Sequence, residues 1–413
     1  MKVDVAIVGA GVAGLCCARH LQARGLECAI IEASDVVGGR VRTDEVDGFL
    51  LDRGFQVLLT AYPEAQAMLD YDALDLGSFY SGALVRCDGH FVRIADPLRH
   101  PLDGIQSVFN GVGSPIDKMR VGLLRQRVLR GSWEDLFRQP LQSTAEGLRA
   151  EGFSPRMIER FFRPFLGGIF LEGALETPLA MAHFVLRMFS SGTAALPARG
   201  MGAIPAQLAA ALPQEWIQLN RRAASVDSTG VVLDDGEHVA ARAVVVATEG
   251  PAAAELLGLE RSRSRRVTCL YFSAEEDPVG EPILVLNGEG HGPINNLCVP
   301  SRVHSSYAPD GSALVSVTVL DDGGDEVEAA VRQQLGDWYG QSVDQWELIN
   351  RCDIAHALPV QEPFAPLDQA LQSAEGLYVC GDHRATASLQ GAMLSGRRVA
   401  EGLAADWGLN EGS

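Results

Sequence analysis

Residues 3 to 8 form a short apolar run interrupted only by Asp4, the pattern of a strand buried on both faces of a parallel sheet. The period then changes. Gly9-Ala10-Gly11-Val12-Ala13-Gly14 leads into helically spaced apolar positions from 15 to 24, Gly25 stands where that helix should stop, and a second apolar run at 28 to 31 ends on Glu32. Together these pieces predict a strand–helix–strand unit of about 30 residues.

From 61 to 195 the pattern becomes irregular and mostly helical, broken by prolines at 97, 101, 115, 140, 155, 164 and 178, which predicts an inserted domain. Strand signals return at 217–219, 224–226 and 231–233, followed by the Asp234-Asp235-Gly236 turn and a buried strand at 243–247. A second, strand-rich insertion spans roughly 255–350, with strands expected at 267–273, 283–286 and 313–320, after which 376–382 reads as a strand and a glycine turn. The expected architecture is α/β: a Rossmann-type dinucleotide-binding domain, parallel sheet plus β-meander, built from 1–60, 196–254 and 351–413. It is interleaved with an α+β substrate domain built from 61–195 and 255–350.

Composition narrows the function. The 413 residues are 47% hydrophobic and 21% charged, an ordinary globular balance that excludes disorder and collagen. A net charge of −19 argues against nucleic acid as a partner. No apolar run is long enough to span a membrane, and the N-terminal run is cut by Asp4 and glycines as a signal-peptide core is not. Eight cysteines without a CxxC pair suggest a reducing, cytoplasmic setting and no metal site. One segment reverses the charge: 116–130 sets Lys118, Arg120, Arg125, Arg127 and Arg130 among Met119, Val121, Leu123, Leu124, Val128 and Leu129. This suits either peripheral contact with an anionic membrane surface or a helix packed on its own domain.

The chemistry sits in separated motifs. Gly9, Gly11 and Gly14 allow a tight turn and close approach of a diphosphate to a helix N-terminus. Glu32, 18 residues after Gly14, is placed to accept both hydroxyls of a ribose. Gly38-Gly39-Arg40-Val41-Arg42-Thr43 follows, two arginines that can meet a diphosphate beside two glycines. With this segment the sequence resembles the flavin-containing superfamily of monoamine oxidases, protoporphyrinogen oxidases and phytoene desaturases. Gly381-Asp382 with Ser388-Leu389-Gln390-Gly391-Ala392 and Ser395-Gly396 resembles the phytoene desaturases most closely.

The resemblance implies non-covalent FAD. It places Ala13 and Ala33 beside the fingerprint and Glu32, and Gly39, Arg40 and Arg42 at the diphosphate. Gly54, Phe55, Gln56 and Val57 would line the isoalloxazine, and the Ala223 backbone would meet adenine. Gly381 and Asp382 would meet the ribityl or phosphate region. The helix opening at Ser388, Leu389, Gln390 and Ala392 would point its N-terminus at the pyrimidine ring, where its dipole stabilises negative charge.

Departures from the superfamily pattern bear on substrate. Amine oxidases in it use a substrate-domain lysine to hold a water, yet no lysine follows Lys118, and no aromatic stands at Ser388 or near Ile354. The expected substrate is therefore small, hydrophobic and uncharged, isoprenoid-like, with oxygen or a quinone as electron acceptor. The stretch 161–171, with Phe161, Phe162, Phe165 and Phe170, suits an apolar tunnel and equally a domain core. His356 is the candidate catalytic residue, with a structural role as its alternative. An atypical amine oxidase, a redox-neutral reduced-flavin isomerase and a non-enzymatic lipid escort remain alternatives.

Overall fold

The strand–helix–strand unit forms as Lys2–Val8, Val12–Gln22 and Cys28–Ile31 in the computed structural model, which describes residues 2–107, 111–321, 324–362 and 370–409. Lys2–Val8 is central. Cys28–Ile31 pairs with it in parallel on one side and His238–Val246 on the other, with Ile217–Gln218 at the edge. Its apolar side chains are almost wholly buried, as expected where both faces are covered.

His238–Val246 changes neighbour along its length. Its first residues pair antiparallel with Gly230–Leu233, which pairs in turn with Ala223–Asp227, forming the expected meander. Its last residues pair in parallel with Leu377–Val379. The turn after that last strand therefore arrives at the same end of the sheet as the Gly9 loop. Helix Leu389–Asp406 follows and packs on Val12–Gln22. Closeness requires glycine there: a Cβ on Gly396 would lie 2.3 Å from the Ala13 carbonyl oxygen.

A second sheet of seven strands has the order Glu347–Pro359, Ser264–Ala274, Ala313–Leu320, Ile294–Cys298, Leu284–Asn287, Gly82–Cys87, His90–Ala95. Its last two strands come from the stretch expected to be mostly helical. They form a hairpin whose Asp88-Gly89 corner has φ of 53° and 79°, a two-residue turn suited to the strand twist. The expected boundary at 351 also shifts. Glu347–Pro359 stays in this sheet to its end, because its antiparallel partner begins only at Ser264, opposite Pro359.

One face of the second sheet, with Leu270, Phe272, Val315 and Val317, packs on Val331, Leu335 and Trp338 of helix Val327–Tyr339. The other face sends Cys269, Tyr271 and Leu314 into the main core shared with the first sheet. The residues joining the two sheets frame the candidate site.

Candidate functional site

The fingerprint loop closes only around glycines. Gly9 has φ of +106° and a Cβ there would lie 2.9 Å from the Ala247 carbonyl oxygen, while a Cβ on Gly14 would lie 2.1 Å from Gly9 O. Gly11 differs: nothing stands within 4 Å of its missing Cβ. It is the N-cap of Val12–Gln22, and no side chain bonds the first-turn N–H groups. Open space at an uncapped helix N-terminus can receive an anionic group.

Glu32 is buried at the end of its strand, and its carboxylate accepts Ala10 N–H and Ser34 N–H, each at 2.8 Å. These bonds fix the group and leave each oxygen a further acceptor site. The backbone near Ala223 arrives at the same place, since Arg221 N–H donates to Glu32 O and Asn220 N–H to Ser34 O. Ala33 is exposed beside them.

The arginine segment lies over the fingerprint. Gly38 N–H donates to Ala10 O at 2.8 Å, Gly38 bridges to Gly11, and a Cβ on Gly39 would be 3.5 Å from Gly11 Cα. Arg40 does not point freely into the crevice: its Nη2 donates to Asp382 Oδ1 at 2.6 Å and its Nη1 to Ala357 O at 3.0 Å. Arg42 reaches Asp35 at 3.2 Å. Gln56 Nε2 donates to Arg40 O and Arg53 O, which ties the 54–57 turn to the arginine segment. Phe55 packs edge-on against Phe79, and Val57 packs against the core.

The C-terminal motif meets both. Gly381 N–H donates to Ser395 Oγ at 2.9 Å, which anchors the Gly381-Asp382 turn on the helix behind it. Ser388 is the N-cap of that helix, accepting Gly391 N–H at 3.1 Å, and its hydroxyl also bonds the Thr386 hydroxyl. Leu389 and Ala392 are half-buried on the first turn. Gln390 is fully buried, with Oε1 accepting Glu64 N–H while Nε2 has no partner. His383 Nδ1 is likewise buried without a partner, and burial pushes its pKa down to about 4.

The strand carrying His356 bulges: Arg265 pairs with Leu358 and Val267 with Ile354, leaving extra residues at 355–357. The bulge turns Ala357 O toward Arg40. Ile354 Cδ1 would lie 2.7 Å from a Cβ on Gly54. His356 Nδ1 is buried without a hydrogen-bond partner, so no bond orients its ring for proton transfer. Unpartnered buried nitrogens on Gln390, His383 and His356 and the open space over Gly11 could hold a large polar cofactor.

Sequence reasoning missed the role of Asp52. It is buried, and its carboxylate accepts Thr43 Oγ at 2.5 Å, Met201 N–H at 2.8 Å and Tyr307 Oη at 3.0 Å, while Tyr271 Oη donates to Asp52 O at 2.6 Å. Burial, against those hydrogen bonds, pushes its pKa up to about 6. Its partners come from the neighbouring Thr43–Val46 strand, the second sheet at Tyr271, the turn at Tyr307 and the loop at Met201, so no local pattern marks it.

A cavity of about 200 Å³ opens beside Arg42, Thr43, Arg199 and Gly202. The larger cleft, about 490 Å³ between Asp88, Arg156, Arg160, Glu289 and His291, contains none of the motif residues. No helix among the described residues is long and apolar enough to cross a membrane.

A family model described as flavin containing amine oxidoreductase matches residues 12–404. A protoporphyrinogen oxidase 2 of Arabidopsis thaliana is 28% identical over 179 residues, 43% of this chain and 34% of that one. A putrescine oxidase of Kocuria rosea is 38% identical over 117 residues, 28% of this chain and 23% of that one. The matched stretches thus span about a third or less of those relatives. A solved oxidoreductase from Methanosarcina mazei has the same fold, with a TM-score of 0.73 and 19% identity over 97% of this chain and 100% of that one.

Proposed function

The chain belongs to the flavin-containing amine oxidoreductase family, with FAD as its cofactor, and on that premise we propose that it removes hydride from an uncharged, hydrophobic substrate. In this reading Gly9, Gly11 and Gly14 hold the diphosphate at the uncapped helix start and Glu32 holds the ribose through its remaining acceptor sites. Arg40, fixed by Asp382, lends charge beside the diphosphate. FAD, when bound, would supply the electron sink, with oxygen or a quinone as the acceptor. The chain's own contribution is position: Gln56 and the Ile354–Ala357 bulge hold the Gly54 turn in place.

One observation carries the substrate class. In 161–171, Phe162, Leu166 and Phe170 are buried, while Phe161, Phe165 and Ile169 form a half-buried stripe at helical spacing. Phe161 stacks on Phe165 with ring centres 5.4 Å apart, and Phe165 meets Phe189 at 5.3 Å. Beyond the stripe stand neutral amides: a Cβ on Gly168 would touch Asn295 and Asn296. In this reading the half-buried ring faces, packed from behind on Val85, Val112 and Leu286, border the space for an apolar molecule without charge.

Anaerobic stopped-flow mixing with isoprenoids, porphyrinogens and amines tests the reading. Flavin bleaching by an uncharged hydrophobic compound is expected. Rapid bleaching by benzylamine, phenylethylamine or spermine would overturn it in favour of amine oxidation, which the putrescine oxidase match keeps as the second reading.

A further inference from the structure

The outer face of helix Pro115–Val128 is apolar. Asp117, Leu124 and Val128 turn inward, while Ile116, Met119 and Leu123 are 55%, 60% and 58% exposed. Their spacing makes one stripe on the water side, where a surface helix ordinarily shows charge. Three large apolar side chains exposed in one stripe mark an interaction surface.

Charge selects the partner. Residues 115–130 hold five basic groups and one acid, Asp117, in a chain of net charge −19. Asp117 is buried and bonded to Ser114 and Ser154. Arg127 pairs with Glu151, but Arg120 and Arg130 make no ion pair among the described residues. A second copy docking face to face would bring these arginines together, whereas lipid phosphates would neutralise them.

We propose that this face docks on an anionic membrane, with Ile116, Met119 and Leu123 entering the headgroup boundary and Arg120 and Arg130 meeting lipid phosphates. The acidic remainder of the chain confines docking to this face.

The test is co-sedimentation of the FAD-loaded full chain with vesicles, a measurement that involves no substrate. Wild type should pellet with phosphatidylcholine–phosphatidylglycerol vesicles, stay in solution with phosphatidylcholine alone, and dissociate as salt rises. The variant Ile116→Ser/Met119→Ser/Leu123→Ser should lose partitioning by about tenfold or more. Arg120→Gln/Arg130→Gln should lose roughly fivefold per arginine. Both should keep FAD content and melting temperature, because these side chains lie outside the core. Wild type left in solution with the anionic vesicles, equal binding to both vesicle types, or a dimer in light scattering that the triple variant dissolves would each overturn the proposal.

Discussion

Arg40 and Asp382, 342 positions apart in the chain, meet with Nη2 2.6 Å from Oδ1. The aspartate is buried and the arginine partly so, and the same guanidinium holds Ala357 O. One side chain therefore fastens the arginine segment to the C-terminal turn and to the edge of the second sheet. Arg40→Ala and Asp382→Ala should each lower FAD retention. In denaturant melts of the apoprotein a double-mutant cycle should give a coupling of about 1 to 2 kcal/mol after allowing for partial exposure. Additive effects would show that the pair joins nothing.

Glu32→Ala should cost more FAD affinity than Glu32→Gln. Alanine abandons Ala10 N–H and Ser34 N–H as well as any ribose contact, whereas glutamine retains one carbonyl acceptor. The expected loss for alanine is about 10- to 100-fold in the FAD dissociation constant, measured by titrating apoprotein. Equal retention in both variants and wild type would remove Glu32 from the cofactor site.

Gly14→Ala tests the close approach at the fingerprint. The added methyl would fall 2.1 Å from Gly9 O, a backbone atom that cannot turn aside. A stability loss of roughly 1 to 3 kcal/mol and weaker FAD binding are expected from such overpacking. Gly11→Ala, where nothing lies within 4 Å, should leave apoprotein stability nearly unchanged and impair only cofactor binding. A stable, fully loaded Gly14→Ala protein would contradict the geometry.

What could be read from the sequence was local. The run before Gly9, the stop at Gly25 and the acid at the end of the second strand each announce themselves within a few residues, and Lys2–Val8, Val12–Gln22 and Cys28–Ile31 follow. The Gly82–Cys87 and His90–Ala95 hairpin was missed: its Asp88-Gly89 corner is a turn signal, but arginines at 86 and 93 interrupt the apolar pattern on both strands. Asp52 was not legible. It lies two residues before the Gly54–Val57 turn expected beside the flavin, yet its environment is made by Tyr271 and Tyr307, 219 and 255 positions away, and spacing carries no trace of such a contact.

That environment predicts a pH signature. Burial raises Asp52 from 3.8 to about 6 in the folded chain, so folding favours its protonated form. Between about pH 4 and pH 6 the native state binds more protons than the unfolded one, and this contribution to stability is lost as pH rises through the window. It amounts to about 2 to 3 kcal/mol. Asp52→Asn, which can still accept from Thr43 and Met201 and donate to Tyr307, should fold and lack this slope in denaturant melts at stepped pH. Asp52→Ala should be less stable than Asp52→Asn at every pH, because it leaves buried donors unpaired. Parallel profiles for wild type and Asp52→Asn would show that the carboxyl titrates normally.

Ser388 was expected to touch the cofactor, and the structure gives its hydroxyl a second duty as N-cap of the helix aimed at the site. Ser388→Ala should cost about 1 kcal/mol through the lost cap, seen as a melting temperature lower by about 1 °C for a chain of 413 residues. Ser388→Thr should recover most of it. Ser388→Tyr, the change that would install an aromatic at this position, should lose the cap as well and gain no amine oxidation. The segment around Ile354 offers no facing aromatic, and that isoleucine already crowds Gly54. Stopped-flow mixing of the Ser388→Tyr protein with benzylamine decides it. Bleaching there, absent in wild type, would show that one missing wall is all that separates this site from an amine oxidase.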